Sequence, residues 1–360
     1  MRLNDTLLLA SLSLLTACSE PARPTPPERV TVAAIQMESV MGDVDGNVAK
    51  IERLVRQAAG RGARICVLPE CAVCGYCDMG NDVFWGTKAE DGFMDVHTVA
   101  EPIPGPSTER LAKLADELDV YLTVPLLERV VENVPGGDEG EKERFYNSIA
   151  LVGPDGTLLA SHRKRIMWTV ADTYCMSEGP ERVCTVDTPY GRLGLMICRD
   201  VHRLVRELGE AKTDIILHCV AWYGPNSGGW FENKLAWMVQ EAGVHLVLAN
   251  WTFSQDPGWS GYGLSRVIAP DGKAIAKCKS DLGDEIVIAE IITPSPLREG
   301  AGGRETTAAR EGNTCDPPTP SPPTSWSSAA APRARSPRSR PRAPARARAS
   351  SRWAASSAAR

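Results

Sequence analysis

The sequence has 360 residues, of which 43% are hydrophobic, and this is enough to bury the core of an enzyme-sized protein. The net charge of −5 is unevenly distributed: residues 294–360 carry twelve Arg against three Glu and one Asp, a balance of +8, and the residues before them sum to −13. An acidic body disfavours binding to a phosphate backbone, so the composition argues against nucleic acid as the main partner.

The N-terminus has the features of an export signal. Its apolar run, residues 7–15, is far shorter than the roughly 20 residues that a membrane-spanning helix needs. The run ends in Leu-Thr-Ala-Cys18, which resembles the lipobox of bacterial lipoproteins, where cleavage leaves a lipidated cysteine as the first residue. We therefore predict a signal peptide over 1–17 and lipidation at Cys18, with the protein held to the cell-envelope membrane on its extracytoplasmic side. A chance match and an uncleaved anchor are the alternatives.

Two segments have the composition of chain that does not fold. Residues 18–28 contain four prolines among small and charged residues, which predicts an extended tether. Residues 294–360 are rich in Pro, Ala, Ser, Thr and Arg without apolar periodicity, which predicts a disordered tail. An altered reading frame in a GC-rich gene would also produce such a change in composition. The folded domain is therefore predicted over 29–293.

Within that domain, strand patterns alternate with helix patterns. Apolar residues at 48, 51, 54, 55 and 58 share one helix face, between the apolar runs 30–36 and 65–68. Such a strand-helix-strand unit implies parallel strands covered by helices. Pro-Asp-Gly sequences at 154–156 and 270–272 predict hairpin turns. The other predicted strands are 120–125, 193–197, 215–219, 245–249 and 285–291, and the other predicted helices are 107–118 and a segment through 237–240. The pattern is that of an α/β protein with mixed sheets.

Four reactive side chains follow β-rich runs: Glu70, Glu128, Lys164 and Cys198. Side chains from distant parts of an α/β chain converge where its strands end, because a crevice forms there. An acid, an amine and a thiol brought together in this way are the parts of a covalent acyl-transfer site. Each residue alone would also fit an ordinary role, as a solvated acid, a surface lysine or a core thiol.

The order of these motifs resembles that of the nitrilase superfamily of carbon-nitrogen hydrolases. The segments that carry the resemblance are 32–37 with Asn47, 67–70, 125–128 with 146–148, 162–165, 194–200, 249–250 and 269–272. Together they cover nearly all of the predicted domain. The resemblance implies a four-layer αββα sandwich, which commonly pairs into an αββα-αββα dimer, and so a homodimer or a higher homo-oligomer.

The resemblance also implies a role for each reactive residue. Cys198 would be the nucleophile and Glu70 the base that takes its proton. The Lys164 ammonium and the backbone N–H of Arg199 would stabilise the oxyanion, and Glu128 would orient Lys164 and the substrate. The expected reaction is hydrolysis of a non-peptide carbon-nitrogen bond in a small amide or N-carbamoyl compound through a Cys198 thioester, without a cofactor.

The residues after Cys198 depart from the pattern of many relatives, which place an aromatic residue, Pro and Glu there, whereas this chain has 201–206 as Val-His-Arg-Leu-Val-Arg. The Arg199-Asp200 pair, in place of the Trp-Glu pair that is typical of nitrilases, favours amide or carbamoyl substrates over nitriles. Arg199, His202 or Arg203 would bind an anionic substrate group, or else they belong to a solvated helix start.

Three aromatic residues are candidates for the wall of the substrate pocket: Tyr76, Trp222 and Tyr223. The two that follow the predicted strand 215–219 lie where relatives have a pocket wall, but packing in the core or at an interface is the alternative for them.

Cys71, Cys74 and Cys77 directly follow Glu70. A fourth ligand at matching spacing is absent from the sequence, so a local disulfide or free thiols are expected there and a metal site is not. Three other functions stay open: transfer of the acyl group to an amine, thiol-disulfide chemistry at these cysteines, and a catalytically silent lipid-anchored binding protein. A thiol-disulfide protein would not need Lys164 and Glu128, and a binding lipoprotein would have an unreactive Cys198.

Overall fold

A computed structural model describes residues 29–133, 141–224, 229–258 and 260–293 of the protein. The predicted signal peptide over 1–17, the lipidation site Cys18, the rest of the tether 18–28 and the tail 294–360 lie outside these ranges. Among the described residues, no helix has both the length and the apolar character that crossing a membrane requires.

Two six-stranded sheets form the body of the domain. The first consists of β1 (Arg29–Gln36), β2 (Ile65–Val67), β5 (Tyr121–Asn133), β6 (Glu141–Val152), β7 (Leu158–Arg163) and β14 (Glu285–Ile292), in the order β14-β1-β2-β5-β6-β7. The second consists of β8 (Thr185–Thr188), β9 (Gly191–Ile197), β10 (Ile215–Val220), β11 (His245–Asn250), β12 (Arg266–Ile268) and β13 (Ala274–Lys277), in the order β13-β12-β11-β10-β9-β8. A small ribbon pairs β3 (Phe84–Gly86) with β4 (Phe93–Asp95).

The described helices are α1 (Val44–Gly60), α2 (Pro106–Leu118), α3 (Val201–Glu210) and α4 (Ala236–Ala242), the last continuing a π-helix over Trp230–Leu235. Short 3-10 turns lie at Val96–Thr98, Asp172–Tyr174 and Cys198–Asp200. The side chain of Asp43 caps α1 by accepting from the backbone N–H of Gly46. The apolar face predicted for α1 is confirmed, since all five of its residues are buried.

The alternation of side chains along β1 shows how the layers are arranged. Val32 and Ala34 pack with residues of β9, β10 and β11, so this face of the first sheet meets the second sheet. Ala33 and Ile35 pack instead with α1 and α2. Successive residues of a strand point to opposite faces, so a strand buried on both sides is apolar throughout. With α3 packed on the far side of the second sheet, the layers are the predicted αββα sandwich.

Each sheet has a parallel centre, which determines where the site forms. β1, β2 and β5 run parallel in the first sheet, and β9, β10 and β11 run parallel in the second. The two sheets meet at the carboxyl ends of these strands, where Met37 forms a bridge with Trp251. Residues that follow β2, β9 and β10 therefore converge at one edge of the sandwich.

The predicted strands and helices are confirmed, with bounds that differ by a few residues. Both Pro-Asp-Gly sequences form hairpin turns, between β6 and β7 and between β12 and β13. β5 is longer than predicted because it continues to Asn133 in a long antiparallel pairing with β6. The β3–β4 ribbon was not predicted, since its strands are only three residues long.

Candidate active site

Three of the four predicted reactive residues meet at the edge where the parallel strands end. Glu70 lies three residues beyond β2, Lys164 directly follows β7, and Cys198 directly follows β9. All three are buried, with exposed fractions of 2%, 0% and 6%. Residues from distant parts of the sequence thus form one buried cluster of an acid, an amine and a thiol.

The Lys164 ammonium lies between two carboxylates. Its Nζ is 2.7 Å from Oε1 of Glu70 and 2.7 Å from Oδ2 of Asp172. The hydroxyl of Tyr76 lies 3.4 Å from the same Nζ and donates to Oδ1 of Asp172 over 2.8 Å. The side chains of Glu70, Lys164 and Asp172 have no exposure to water, so each charge depends on the others for its stabilisation.

The pKa values of the pair shift in the directions that this environment requires. Burial lowers the pKa of Lys164, but the negative charges of Asp172 and Glu70 outweigh it, and the net pKa lies well above its usual value. Burial raises the pKa of Glu70, and the neighbouring Lys164 charge offsets this only in part. Lys164 is therefore a permanent cation, whereas Glu70 accepts a proton more readily than an exposed glutamate does.

The Glu70 carboxylate is held in one orientation by three donors. Oε1 accepts from Lys164 Nζ and, over 2.7 Å, from Asn147 Nδ2. Oε2 accepts from the backbone N–H of Ala221, the residue that follows β10, over 2.8 Å. These contacts join the first sheet to the second sheet through a single side chain.

Cys198 occupies a sharp turn at the end of β9. Its φ is +40°, a conformation that residues with a β-carbon rarely adopt and that is common at functional positions. The Glu70 carboxylate and the Lys164 ammonium both lie near its thiol. Burial raises the pKa of the thiol well above its usual value, and the Glu70 charge raises it further, so the resting form is the protonated thiol.

Asp200 and His218 are buried side chains that support this turn through contacts that the sequence did not predict. Asp200 accepts from the backbone N–H groups of Arg165 over 2.9 Å and of Ile166 over 2.8 Å, and from His162 Nε2 over 2.8 Å. It therefore links the Cys198 turn to the segment that carries Lys164. From β10, His218 Nε2 donates to the carbonyl oxygen of Cys198 over 3.1 Å. Burial lowers the pKa of His218 to about 4, so this imidazole is neutral at pH 7.

Glu128 is placed differently from the prediction that it orients Lys164. Its Oε1 accepts from Arg163 over 2.6 Å, and its Oε2 accepts from Arg163 over 2.8 Å and from Ser148 over 2.7 Å. The strand registers explain this, because Glu128 pairs with Tyr146 and so lies on the sheet face opposite to Asn147. Arg163 shares that face, whereas its neighbour Lys164 points to the site.

Asp172 takes the place beside Lys164 that was predicted for Glu128. It lies eight residues after Lys164, as the first residue of the 3-10 turn Asp172–Tyr174, and Trp168 donates its backbone N–H to the carboxylate over 2.7 Å. The sequence carried one weak signal for it, an acidic residue in an otherwise apolar and aromatic stretch that includes Trp168, Val170 and Ala171.

The predicted pocket aromatics lie in three different settings. Tyr76 belongs to the charged cluster itself. Trp222 is half-buried next to Ala221 and stacks on Trp230, with ring centroids 4.5 Å apart. Tyr223 is 38% exposed, and its ring lies 6.1 Å from that of Trp168.

Cys71, Cys74 and Cys77 are buried free thiols in a cluster that surrounds Tyr76. Cys71 Sγ lies 3.6 Å from Oδ1 of Asn147, the residue whose amide holds Glu70. Across the described ranges, no group of three or more His, Cys, Asp or Glu side chains has the geometry to hold a metal ion.

The carbon-nitrogen hydrolase family profile matches residues 31–294 of the chain. Omega-amidase NIT2 of Homo sapiens is 28% identical over 273 residues, which span 73% of this chain and 88% of that protein. An aliphatic nitrilase of Sinorhizobium fredii is 32% identical over 192 residues, which span 52% of this chain and 58% of that protein.

Solved structures with the same fold belong to the nitrilase superfamily. A cysteine-to-alanine variant of an amidase from Nesterenkonia AN1 superposes with a TM-score of 0.58 at 19% identity, covering 75% of this chain and 94% of that one. Nit3 of Saccharomyces cerevisiae superposes with a TM-score of 0.58 at 22% identity, and the match covers 74% of this chain and 91% of that one. These matches agree with the αββα layering of the two sheets.

The buried charges make a prediction about stability. Replacing Lys164 by Met leaves Glu70 and Asp172 buried without their cation, so we expect a loss of about 3–5 kcal/mol in the free energy of unfolding. Urea unfolding of the full chain at pH 7 measures it. Lys88→Met is the control, because Lys88 pairs with Glu90 at the exposed surface over 3.3 Å and its removal should cost less than about 1 kcal/mol. Equal losses in the two variants would contradict the importance assigned to the buried ammonium.

Proposed function

The chain belongs to the carbon-nitrogen hydrolase family, and from the geometry of its site we propose that it hydrolyses the amide or N-carbamoyl bond of a small molecule through a thioester on Cys198. The observation that carries the proposal is the buried cluster of the Cys198 thiol, the Glu70 carboxylate and the Lys164 ammonium, in which the ammonium lies 2.7 Å from the carboxylate. A nucleophile, a base and a fixed positive charge are the groups that attack on a carbonyl carbon needs.

In the first step the Cys198 sulfur attacks the carbonyl carbon of the substrate, and the thiol proton passes to Glu70. The transfer must accompany the attack, because burial favours the neutral thiol and the raised pKa of Glu70 makes it a suitable acceptor. The carbonyl oxygen becomes an oxyanion. The Lys164 ammonium and the backbone N–H of Arg199 stabilise it, and one such donor is typically worth about 3 kcal/mol.

In the second step the carbon-nitrogen bond breaks and Glu70 returns its proton to the departing nitrogen, which leaves as ammonia or an amine. The acyl group remains on Cys198 as a thioester. Glu70 then removes a proton from water as the water attacks the thioester, and the acid product leaves with the thiol restored. Asp172 keeps Lys164 charged and oriented throughout, which is the role that had been expected of Glu128.

The proposed bond type rests on the relatives and on the residues after the nucleophile. Two of the relatives are named as an omega-amidase and an aliphatic nitrilase. We favour an amide or carbamoyl substrate, because Arg199 and Asp200 stand where nitrilases typically have Trp and Glu. Assays with primary amides, N-carbamoyl amino acids and nitriles, with free ammonia and the acyl product both measured, distinguish these substrates and separate hydrolysis from acyl transfer.

Replacing Cys198 by Ala should lower kcat/KM by at least about a thousandfold while the protein stays folded, because the thiol forms the covalent intermediate. Cys198→Ser should be nearly as inactive, since an alcohol is harder for Glu70 to deprotonate. Cys66→Ala is a matched control, because Cys66 is also a buried free thiol but lies within β2, on the face that packs against α1 and α2. Substantial activity in folded Cys198→Ala protein would overturn the mechanism.

We also propose that the enzyme acts at the cell envelope, anchored through a lipid on Cys18. The support is the lipobox-like sequence that ends at this residue, followed by a proline-rich tether before β1 begins at Arg29. Expressed in a bacterium with lipoprotein processing, the full chain should incorporate labelled palmitate and partition into the detergent phase, and Cys18→Ala should do neither. Recovery of unprocessed protein beginning at Met1 would count against the anchor.

A further inference from the structure

We propose that His218 is a positioning residue for the oxyanion site: by binding the carbonyl oxygen of Cys198, it keeps the backbone N–H of Arg199 directed at the substrate. The inference rests on the proposed hydrolysis at Cys198, in which that N–H stabilises the oxyanion. It adds a side chain from a neighbouring strand that acts on the reaction through the backbone of the nucleophile's turn.

The carbonyl of Cys198 and the N–H of Arg199 belong to one peptide group. The peptide bond that joins the two residues is trans. In a planar trans peptide the C=O and N–H bonds point in opposite directions. A contact that fixes the direction of the Cys198 carbonyl therefore fixes the direction of the Arg199 N–H as well.

The turn by itself holds this peptide group with a single contact. The 3-10 turn Cys198–Asp200 is three residues long, and the carbonyl of Cys198 accepts from the backbone N–H of Val201 at its end. Cys198 also has a strained φ of +40°. A rotation of the peptide plane by half a turn would direct the carbonyl oxygen at the substrate, where it would repel an oxyanion instead of stabilising it.

His218 gives the same carbonyl a second donor from outside the turn. Its Nε2 lies 3.1 Å from the carbonyl oxygen of Cys198. A carbonyl oxygen only accepts, so the imidazole carries its proton on Nε2 and donates it. Burial lowers the pKa of His218 to about 4, so the ring is neutral at pH 7 and this is its one N–H.

The rest of the imidazole contributes no polar contact within the described residues. Its Nδ1 is buried there without a hydrogen-bond partner. Burying a polar atom that is left unsatisfied costs stability, so an apolar side chain of similar size would be the more stable occupant. A histidine at this position is explained by the use of its Nε2–H on the Cys198 carbonyl.

The strand that carries His218 is a rigid support for this contact. His218 lies in β10 between Met196 of β9 and Leu248 of β11, and it is fully buried. The backbone N–H of Ala221, directly after the same strand, binds the Glu70 carboxylate. One strand thus holds the base and, through His218, the peptide group that follows the nucleophile.

The kinetic test compares two side chains of similar length at position 218. His218→Gln keeps an N–H donor at about the reach of Nε2, whereas His218→Met removes the donor. With primary amides from acetamide to hexanamide, His218→Met should lower kcat by at least about tenfold and leave KM within about threefold, because the oxyanion forms only in the transition state. His218→Gln should restore most of kcat.

His245→Met is the matched control and should keep the native kcat. His245 is a partly buried histidine that pairs with Ile215, the first residue of β10, so it lies at the end of the sheet away from the site.

Aldehydes of the same chain lengths test the peptide group without turnover. The Cys198 sulfur bonds to the aldehyde carbon, the C=O double bond becomes a single bond, and the thiol proton passes to Glu70 or to the new oxygen. Carbon-13 NMR of the labelled aldehyde measures the affinity of this adduct, and Cys198→Ala is the blank. The adduct should form at least about tenfold more weakly in His218→Met, and His218→Gln should restore most of the affinity.

Circular dichroism shows which variants are folded. If His218→Met unfolds, His218→Asn takes its place, because its amide is one carbon shorter than that of Gln and does not reach the carbonyl. Native kcat and native aldehyde affinity in the folded variant without the donor would overturn the positioning role. Equal losses in His218→Gln, or in His245→Met, would overturn it too, because such losses come from packing.

Two outcomes separate the positioning role from the proposed reaction. Aldehyde binding that depends on His218, without turnover of any amide, would support the role and overturn the hydrolysis. Turnover of amides by the native chain without an aldehyde adduct on Cys198, or with an adduct whose affinity is the same in His218→Met, would overturn the role and leave the hydrolysis standing.

Discussion

The buried ammonium of Lys164 between the carboxylates of Glu70 and Asp172 is the interaction on which the rest of the site depends. Taking three charged groups out of water is costly, and only close mutual contact with further hydrogen bonds makes it tolerable. Asn147, Ala221 and Tyr76 supply those hydrogen bonds. The cluster thereby fixes the relative position of β2, β7 and the loop at Asp172, and it leaves a base and a cation at fixed positions next to the thiol.

A second set of contacts holds the turn at Cys198 from both sides. Asp200 binds the backbone after Lys164, and His218 binds the carbonyl of Cys198 from the neighbouring strand. Burial raises the pKa of Asp200, but the contact with His162, the backbone N–H of Ile166 and the charge of Lys164 together outweigh it, so the net pKa is lowered and the carboxylate stays ionised. These contacts retain Cys198 at a positive φ that the sequence alone would not favour.

The sequence was sufficient to predict whatever depends on local periodicity and on strand ends. The two-sided burial of β1, the apolar face of α1 and the convergence of Glu70, Lys164 and Cys198 follow from residue patterns and from the α/β order. The partner of Lys164 was not predictable in that way, because Glu128 lies on the sheet face opposite to Asn147, and Asp172 lies in a short 3-10 turn outside the sheets. Such contacts are set by strand register and by a loop path that brings distant residues together. The partners of His162 and His218 were not predictable for the same reason, since they are 38 and 20 residues away in the sequence.

The central claim is that the acyl group is carried on Cys198 while Glu70 moves the protons. Acid quenching of the full chain during turnover of an amide, followed by mass spectrometry of its peptides, tests this directly. The account predicts an acyl adduct on the peptide that contains Cys198, and a larger steady-state share of adduct in any Glu70→Gln protein that still acylates, because release of the thioester needs the base. Turnover with no adduct on Cys198, or with the adduct on Cys71 or Cys77, would contradict it.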